Sequence, residues 1–208
     1  MNHLLVKKIT EVFRIWGYEE VSPPRVERLT TLMAGGAISN EDIVKIVSDD
    51  ALGLRPEMTA SIARAACTRF AIRPRPLRLF STGTVFENRE NVEGGMSIEE
   101  NLQCGVELLG KKGVSAEMEV LNLLLDAVEK IGLDKAQKPT LLIGDTCLMK
   151  LILAGLKDPL KDKVKNALLN YDVLSLRNLE LNNNFREKVL SFHECRGKPS
   201  IVLDKLSS

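Results

Sequence analysis

Apolar positions recur at helical spacing where the chain begins: Leu5, Ile9, Val12, Phe13 and Trp16 share one face of a helix predicted over 4–16. Gly17 is its expected C-cap. Residues 18–22 read as a strand that stops at Pro23-Pro24, because proline has no N–H to give a sheet ladder. The pattern then predicts a short helix over 25–32, a turn at Ala34-Gly35-Gly36 and a strand over 43–47. Asp49-Asp50 turns the chain before Leu52. Pro56 fits the first turn of a helix running to about Phe70, where its missing N–H is no loss. Ala60, Ala63, Ala65 and Ala66 favour that helix and allow close packing.

Residues 77–87 alternate loosely as a long strand, and 101–109 form its antiparallel partner. The stretch between, 88–101, is polar, acidic and glycine-bearing, and is expected to be a mobile loop. An amphipathic helix over 116–131 ends at Gly132. A short buried strand over 139–144 and a helix over 146–156 follow. Beyond about Asp158 no β run is found. Helices are predicted over 161–169, 174–179, 185–192 and 200–206, broken by Asn182-Asn183-Asn184 and Arg196-Gly197-Lys198-Pro199. The expected class is therefore α+β, with a sheet-bearing domain over 1–156 and a helical insertion or appendage over 157–208.

The 208 residues are ample for a hydrophobic core, which must be mainly aliphatic because aromatics make up only 4%. Lys plus Arg is 29 and Asp plus Glu is 28, so the formal charge of +1 demands neither nucleic acid nor an anionic membrane. The one basic patch, Arg64, Arg69, Arg73, Arg75 and Arg78, reads as a solvated helix end and loop rather than a nucleic-acid surface. Cys67, Cys104, Cys147 and Cys195 form no Cys-x-x-Cys pair, and His3 and His193 stand apart from them, so no metal site is expected. Each cysteine has apolar or small neighbours, as core residues of a protein of the reducing cytoplasm would. No apolar run is long enough to span a membrane, and the N-terminus is too weakly apolar for a signal peptide.

Two stretches carry candidate chemistry: Leu54-Arg55-Pro56-Glu57-Met58-Thr59 and Gln103-Cys104-Gly105-Val106-Glu107. A strand sends alternate residues to one face, so Gln103 and Glu107 share a face about 13 Å apart, at about 3.3 Å per residue. Gly105 between them leaves a shallow trough suited to a small polar cation. Leu102, Cys104, Val106 and Leu108 point the other way. The same residues also read as the wet face of a half-buried strand, with Gly105 at a bulge.

Taken in order, these elements resemble the class II aminoacyl-tRNA synthetase fold, most closely its histidyl branch, over about residues 4–150. The first helix, Gly17-Tyr18, the strand and Pro24-x-x-Glu27 resemble the first signature motif, which implies self-association through that interface. Residues 77–110 resemble the second motif. By this resemblance the expected fold is an antiparallel sheet flanked by helices, and Glu57, Thr59, Gln103 and Glu107 are the residues expected to hold L-histidine. Carboxylates suit an ammonium or imidazole N–H, and Thr and Gln supply directional hydrogen bonds.

The pattern departs from a working synthetase at Glu87, which follows Phe86 where the family carries an arginine that clamps the ATP α-phosphate and the amino-acid carboxylate. Changing cation to anion at about 4 Å turns roughly 4 kcal/mol of attraction into repulsion at an effective dielectric of about 20. Arg89 would share a face with Glu87 if the strand continued, offering a rescue by a local slip. The third motif and the histidine-specific glycine-rich stretch are not found. Either the gene product is longer or the domain cannot make adenylate.

The chain is most similar to a non-charging branch of this family, the regulatory subunits of ATP phosphoribosyltransferase, in the version found in photosynthetic bacteria. Met33-Ala34-Gly35-Gly36-Ala37-Ile38 and the run from Leu54 to Ala66 carry that likeness. It implies a regulatory, non-catalytic role with no catalytic residue and no cofactor, a short-form catalytic subunit as partner, and L-histidine as the ligand sensed. A fragment of a histidyl-tRNA synthetase is the alternative. A stand-alone tRNA-binding or amino-acid-binding relative would need a stronger basic face.

Overall fold

The computed structural model describes residues 2–34, 38, 40–90, 94–133 and 136–207. It divides into two compact units, Met1–Pro139 and Thr140–Ser208. The first contains α1 (Asn2–Ile15), β1 (Glu19–Glu20), β2 (Val26–Arg28), α2 (Leu29–Leu32), β3 (Lys45–Ile46), β4 (Leu52–Leu54), α3 (Thr59–Cys67), β5 (Leu77–Glu90), β6 (Met96–Leu109) and α4 (Val114–Lys130).

Helix α1 ends as its sequence predicts. Gly17 takes φ +79°, and the next N–H, of Tyr18, bonds back to the Phe13 carbonyl at 3.0 Å. The strand that follows, β1, lies parallel to β5, while β5 and β6 form a long antiparallel ribbon, giving the order β1-β5-β6. A second small sheet has the order β2-β4-β3, with Asp49-Asp50 inside the β3–β4 turn.

Several expectations are corrected. Residues 25–32 are not one helix: Val26–Arg28 pairs with Leu52–Leu54, and only Leu29–Leu32 is helical. The backbone there has a strand partner, which outweighs a weak local preference. The turn placed at Ala34-Gly35-Gly36 falls on Gly35 and Gly36, outside the described residues. Pro56 is not in the first turn of α3, which starts at Thr59; the Glu57 carboxylate instead accepts from the N–H groups of Thr59 and Ala60. The expected loop over 88–101 is largely strand, with Glu90 opposite Met96, because the ladder continues on a ribbon that needs no buried face. Residues 139–144 form no strand and are exposed, since among the described residues no strand pairs with them.

Cross-strand neighbours point to one face of a sheet, and the two faces of the β5–β6 ribbon meet different cores. On one face Phe80, Cys104 and Val106 pack with Val12, Phe13 and Tyr18 and with Leu123 and Ala127 of α4. On the other, Leu77, Leu79 and Val85 pack with Met58, Ile62 and Ala66. The basic stretch is solvated as expected, and three of its arginines are also paired: Arg64 with Glu27, Arg73 with Glu19, and Arg78 with Glu119.

The second unit holds α5 (Thr146–Leu153), α6 (Leu160–Leu169), α7 (Val173–Asn178), α8 (Asn183–His193) and α9 (Pro199–Ser207). Asp145, Asp172 and Asn182 cap α5, α7 and α8 by accepting from Cys147, Ser175 and Asn184 N–H groups. Its core is Leu153, Val164, Ala167, Leu168, Leu176, Leu181 and Val189. Leu153 draws α5 into this unit, so the compact units part at 139/140, ahead of the break expected at 156/157. The cysteines are not all core residues: all four are free, and Cys67 and Cys147 are exposed. Among the described residues no acidic, histidine or cysteine cluster could hold a metal, and no helix is long and apolar enough to cross a membrane.

Candidate functional site

The β5–β6 register fixes what lines the candidate trough. Glu107 stands opposite Leu79, Gly105 opposite Ser81, and Gln103 opposite Gly83. Leu79 and Ser81 are buried beneath the segment Arg55–Thr59, where the Ser81 hydroxyl donates to Met58 Sδ at 3.3 Å. A Cβ built on Gly105 would meet nothing within 4 Å. The segment thus walls the β5 side, and the face of β6 between Gln103 and Glu107 stays open. Cys104 and Val106 pack into the opposite core, so the predicted division of β6 into two faces holds.

Glu57, Thr59 and Glu107 are brought together. Burial pushes the Glu107 carboxyl above the usual carboxylate range, the hydrogen bond from Thr59 pulls it down, and the nearby Glu57 charge raises it again. Glu57 is half-buried and held in place by its bonds to the start of α3. One end of the trough therefore gathers two carboxylates and a hydroxyl, a setting that a cation would relieve. Gln103 lies at the other end, four cross-strand pairs along the ribbon.

Glu87 sits further out, opposite Glu99. The strand does continue past it, and Arg89 Nε pairs with Glu99 Oε2 at 2.6 Å. Arg89 is thereby committed to a carboxylate other than Glu87.

Sequence reasoning missed Arg55, which is 3% exposed. Its Nε donates to the Thr84 carbonyl at 3.0 Å and its Nη1 to the Pro23 carbonyl at 2.7 Å. Burial lowers its pKa, the Arg25 charge lowers it further, and Glu27 raises it. Its signal was available: a lone cation between Leu54 and Pro56, at the end of an apolar strand. Beside it, buried Glu27 accepts from the Ser61 hydroxyl and from Arg64 Nη2. This gives the third residue after Pro24 a structural task, which is to tie α3 to β2.

Comparison with known proteins places this geometry in a family. The histidyl-tRNA synthetase family model matches residues 1–207. The chain is 56% identical over 207 residues to the ATP phosphoribosyltransferase regulatory subunit of Prochlorococcus marinus strain MIT 9303, covering 100% of this chain and 53% of that protein. It is 55% identical over 205 residues to the one from Synechococcus sp. strain CC9902, covering 99% and 52%. The chain thus spans about half the length of the relatives it matches.

Among solved structures, an ATP phosphoribosyltransferase regulatory subunit/histidyl-tRNA synthetase from Bacillus halodurans superposes with a TM-score of 0.85 at 25% identity, covering 97% of this chain and 53% of that one. A histidyl-tRNA synthetase from Nostoc sp. PCC 7120 shares the fold, with a TM-score of 0.71 at 18% identity over 98% of this chain and 47% of that one. The expected α+β, class II synthetase-like architecture is borne out. The match along nearly the whole sequence establishes that the chain belongs to the histidyl-tRNA synthetase family, with its high identity to members named ATP phosphoribosyltransferase regulatory subunits.

Proposed function

We propose that this chain serves in a regulatory subunit of ATP phosphoribosyltransferase, binding free histidine while a separate short-form catalytic subunit performs the first step of histidine biosynthesis. One observation carries the reading. In a chain 56% identical to such subunits, Glu107, Thr59 and Glu57 converge on an open trough whose half-buried Glu107 carboxylate has no ion-pair partner among the described residues. Gln103 supplies the directional amide at the far end. The chain takes no catalytic step itself: Glu87 occupies the place where the resemblance calls for a phosphate-binding arginine.

Control follows from linkage. Histidine must bind the inhibited assembly better than the active one, and a tenfold preference corresponds to about 1.4 kcal/mol. The cytoplasm suits four free cysteines. Self-association through α1 and β1 belongs to the same reading, as does the functional division into a synthetase-like core over 1–156 and a helical insertion over 157–208.

The family model's name favours a second reading, histidine activation by ATP. The test mixes the chain with a short-form ATP phosphoribosyltransferase and follows turnover with and without histidine. The proposal expects the chain to change turnover and histidine to suppress it. Histidine-dependent exchange of pyrophosphate into ATP by the chain alone would instead support the synthetase.

A further inference from the structure

The trough has a second end, and its chemistry is opposite to the first. Arg55 is buried, yet among the described residues it has no ion-pair partner, because the nearby Glu27 carboxylate is taken by Ser61 and Arg64. Two of its three nitrogens are used: Nε and Nη1 donate to backbone carbonyls of Thr84, Pro23 and Pro24. These bonds lock the guanidinium plane. The third nitrogen, Nη2, donates to no described acceptor. It lies over Gly83, where a built Cβ would come within 2.3 Å of it, and Gly83 is the cross-strand partner of Gln103.

We infer that Arg55 binds the ligand's carboxylate through Nη2, so that the trough takes a free zwitterionic α-amino acid and rejects forms whose carboxylate is blocked or absent. The inference rests on the histidine-binding reading above and names what that reading left open, the residue that meets the acid group. A buried guanidinium with an unused edge is a poor structural end in itself: its charge has no counter-ion among the described residues, which costs free energy, and Nη2, which is not fully enclosed, has only solvent as acceptor. A carboxylate offsets both at once, through charge-assisted hydrogen bonds to a fork already held in one orientation.

The other end completes the match. Glu57, Thr59 and Glu107 suit the ligand's cationic nitrogen groups, and Gln103 beside Gly83 can donate to the same carboxylate as Arg55. Glycine at 83 has a reason here: a methyl group would drive Nη2 from its place. Arg55 is thus a specificity residue rather than a mere tie between loop and strand.

The test is a calorimetric titration of the 208-residue chain with L-histidine and with L-histidinol, which carries a hydroxymethyl group in place of the carboxylate. The wild type should prefer L-histidine by tenfold or more. In Arg55→Lys the preference should shrink to about threefold or less, with affinity for L-histidinol unchanged, because lysine keeps the charge but loses the fixed fork. Gly83→Ala should do the same by displacing Nη2, and it keeps the test alive if Arg55→Lys unfolds, as circular dichroism would show. Equal binding of the two ligands by the wild type overturns the inference while leaving histidine binding intact. So does a folded variant that keeps the wild-type ratio. If the wild type binds neither ligand, the histidine-sensing reading itself fails and the assignment of Arg55 falls with it.

Discussion

The two units of the chain solve burial in opposite ways. In Thr140–Ser208 the described core is entirely apolar, built from residues such as Val164, Leu176 and Val189, which are fully buried. In Met1–Pro139, Thr10, Glu27, Arg55, Ser61 and Ser81 are buried as well, and all but Thr10 of α1 lie along or beneath α3 and the β5–β6 ribbon. Burying such groups costs free energy unless each finds a partner, so their presence marks where the fold serves something besides stability. The trough belongs to the unit that holds the buried charge.

That contrast can be broken or sharpened by substitution. The largest effect is expected at Leu176→Ala, which removes a fully buried side chain from the helical core and should cost about 2–5 kcal/mol in chemical denaturation. Glu27→Ala should come next, at about 2 kcal/mol, because it strands the Ser61 hydroxyl and leaves the half-exposed Arg64 to water. Hydrogen exchange should show that loss concentrated in α3.

Glu107→Ala should weaken histidine binding more than tenfold, about 1.4 kcal/mol, with an unchanged melting temperature. Glu57→Ala should weaken binding by a similar factor and also lower stability by about 1 kcal/mol, because Glu57 caps the start of α3.

The smallest effect is one of pH. Glu119 accepts from Arg78 at 2.6 and 3.0 Å, from Lys111 at 2.8 Å and from the Tyr18 hydroxyl at 3.4 Å. The Arg78 hydrogen bonds are the main cause that draws its pKa from 4.5 down to about 2. Its folded-state value lies below its unfolded one, so its stabilisation is present above about pH 4.5 and is lost as pH falls towards 2. Glu119→Gln should melt below the wild type at neutral pH, with the gap closing over that window. Burial and the Glu119 charge push the Tyr18 hydroxyl up to about 12, so it stays a donor throughout.

Much of this was legible from pattern. Helix α1 and the four helices beyond Asp158 have strong apolar periodicity and clear breaks, and both appear where expected. The two faces of β6 followed from alternation alone. What could not be read depended on distant partners. Val26–Arg28 is a strand only because Leu52–Leu54 lies beside it, and 139–144 is not one because no described strand pairs with it. For the site, alternation placed Gln103 and Glu107 on one face, and the resemblance supplied Glu57 and Thr59. Arg55 escaped notice because its meaning lies in carbonyls of Pro23 and Thr84, which no local pattern connects to it.

The central claim is that ligand binding resides in the charged trough and not in the apolar helical unit. The direct measurement is a calorimetric titration with L-histidine of the wild type, Glu107→Ala and Leu176→Ala, each held well below its melting temperature. The account predicts that the wild type and Leu176→Ala bind alike, while Glu107→Ala loses more than tenfold. Undiminished binding by Glu107→Ala, or no binding by the wild type, would contradict it.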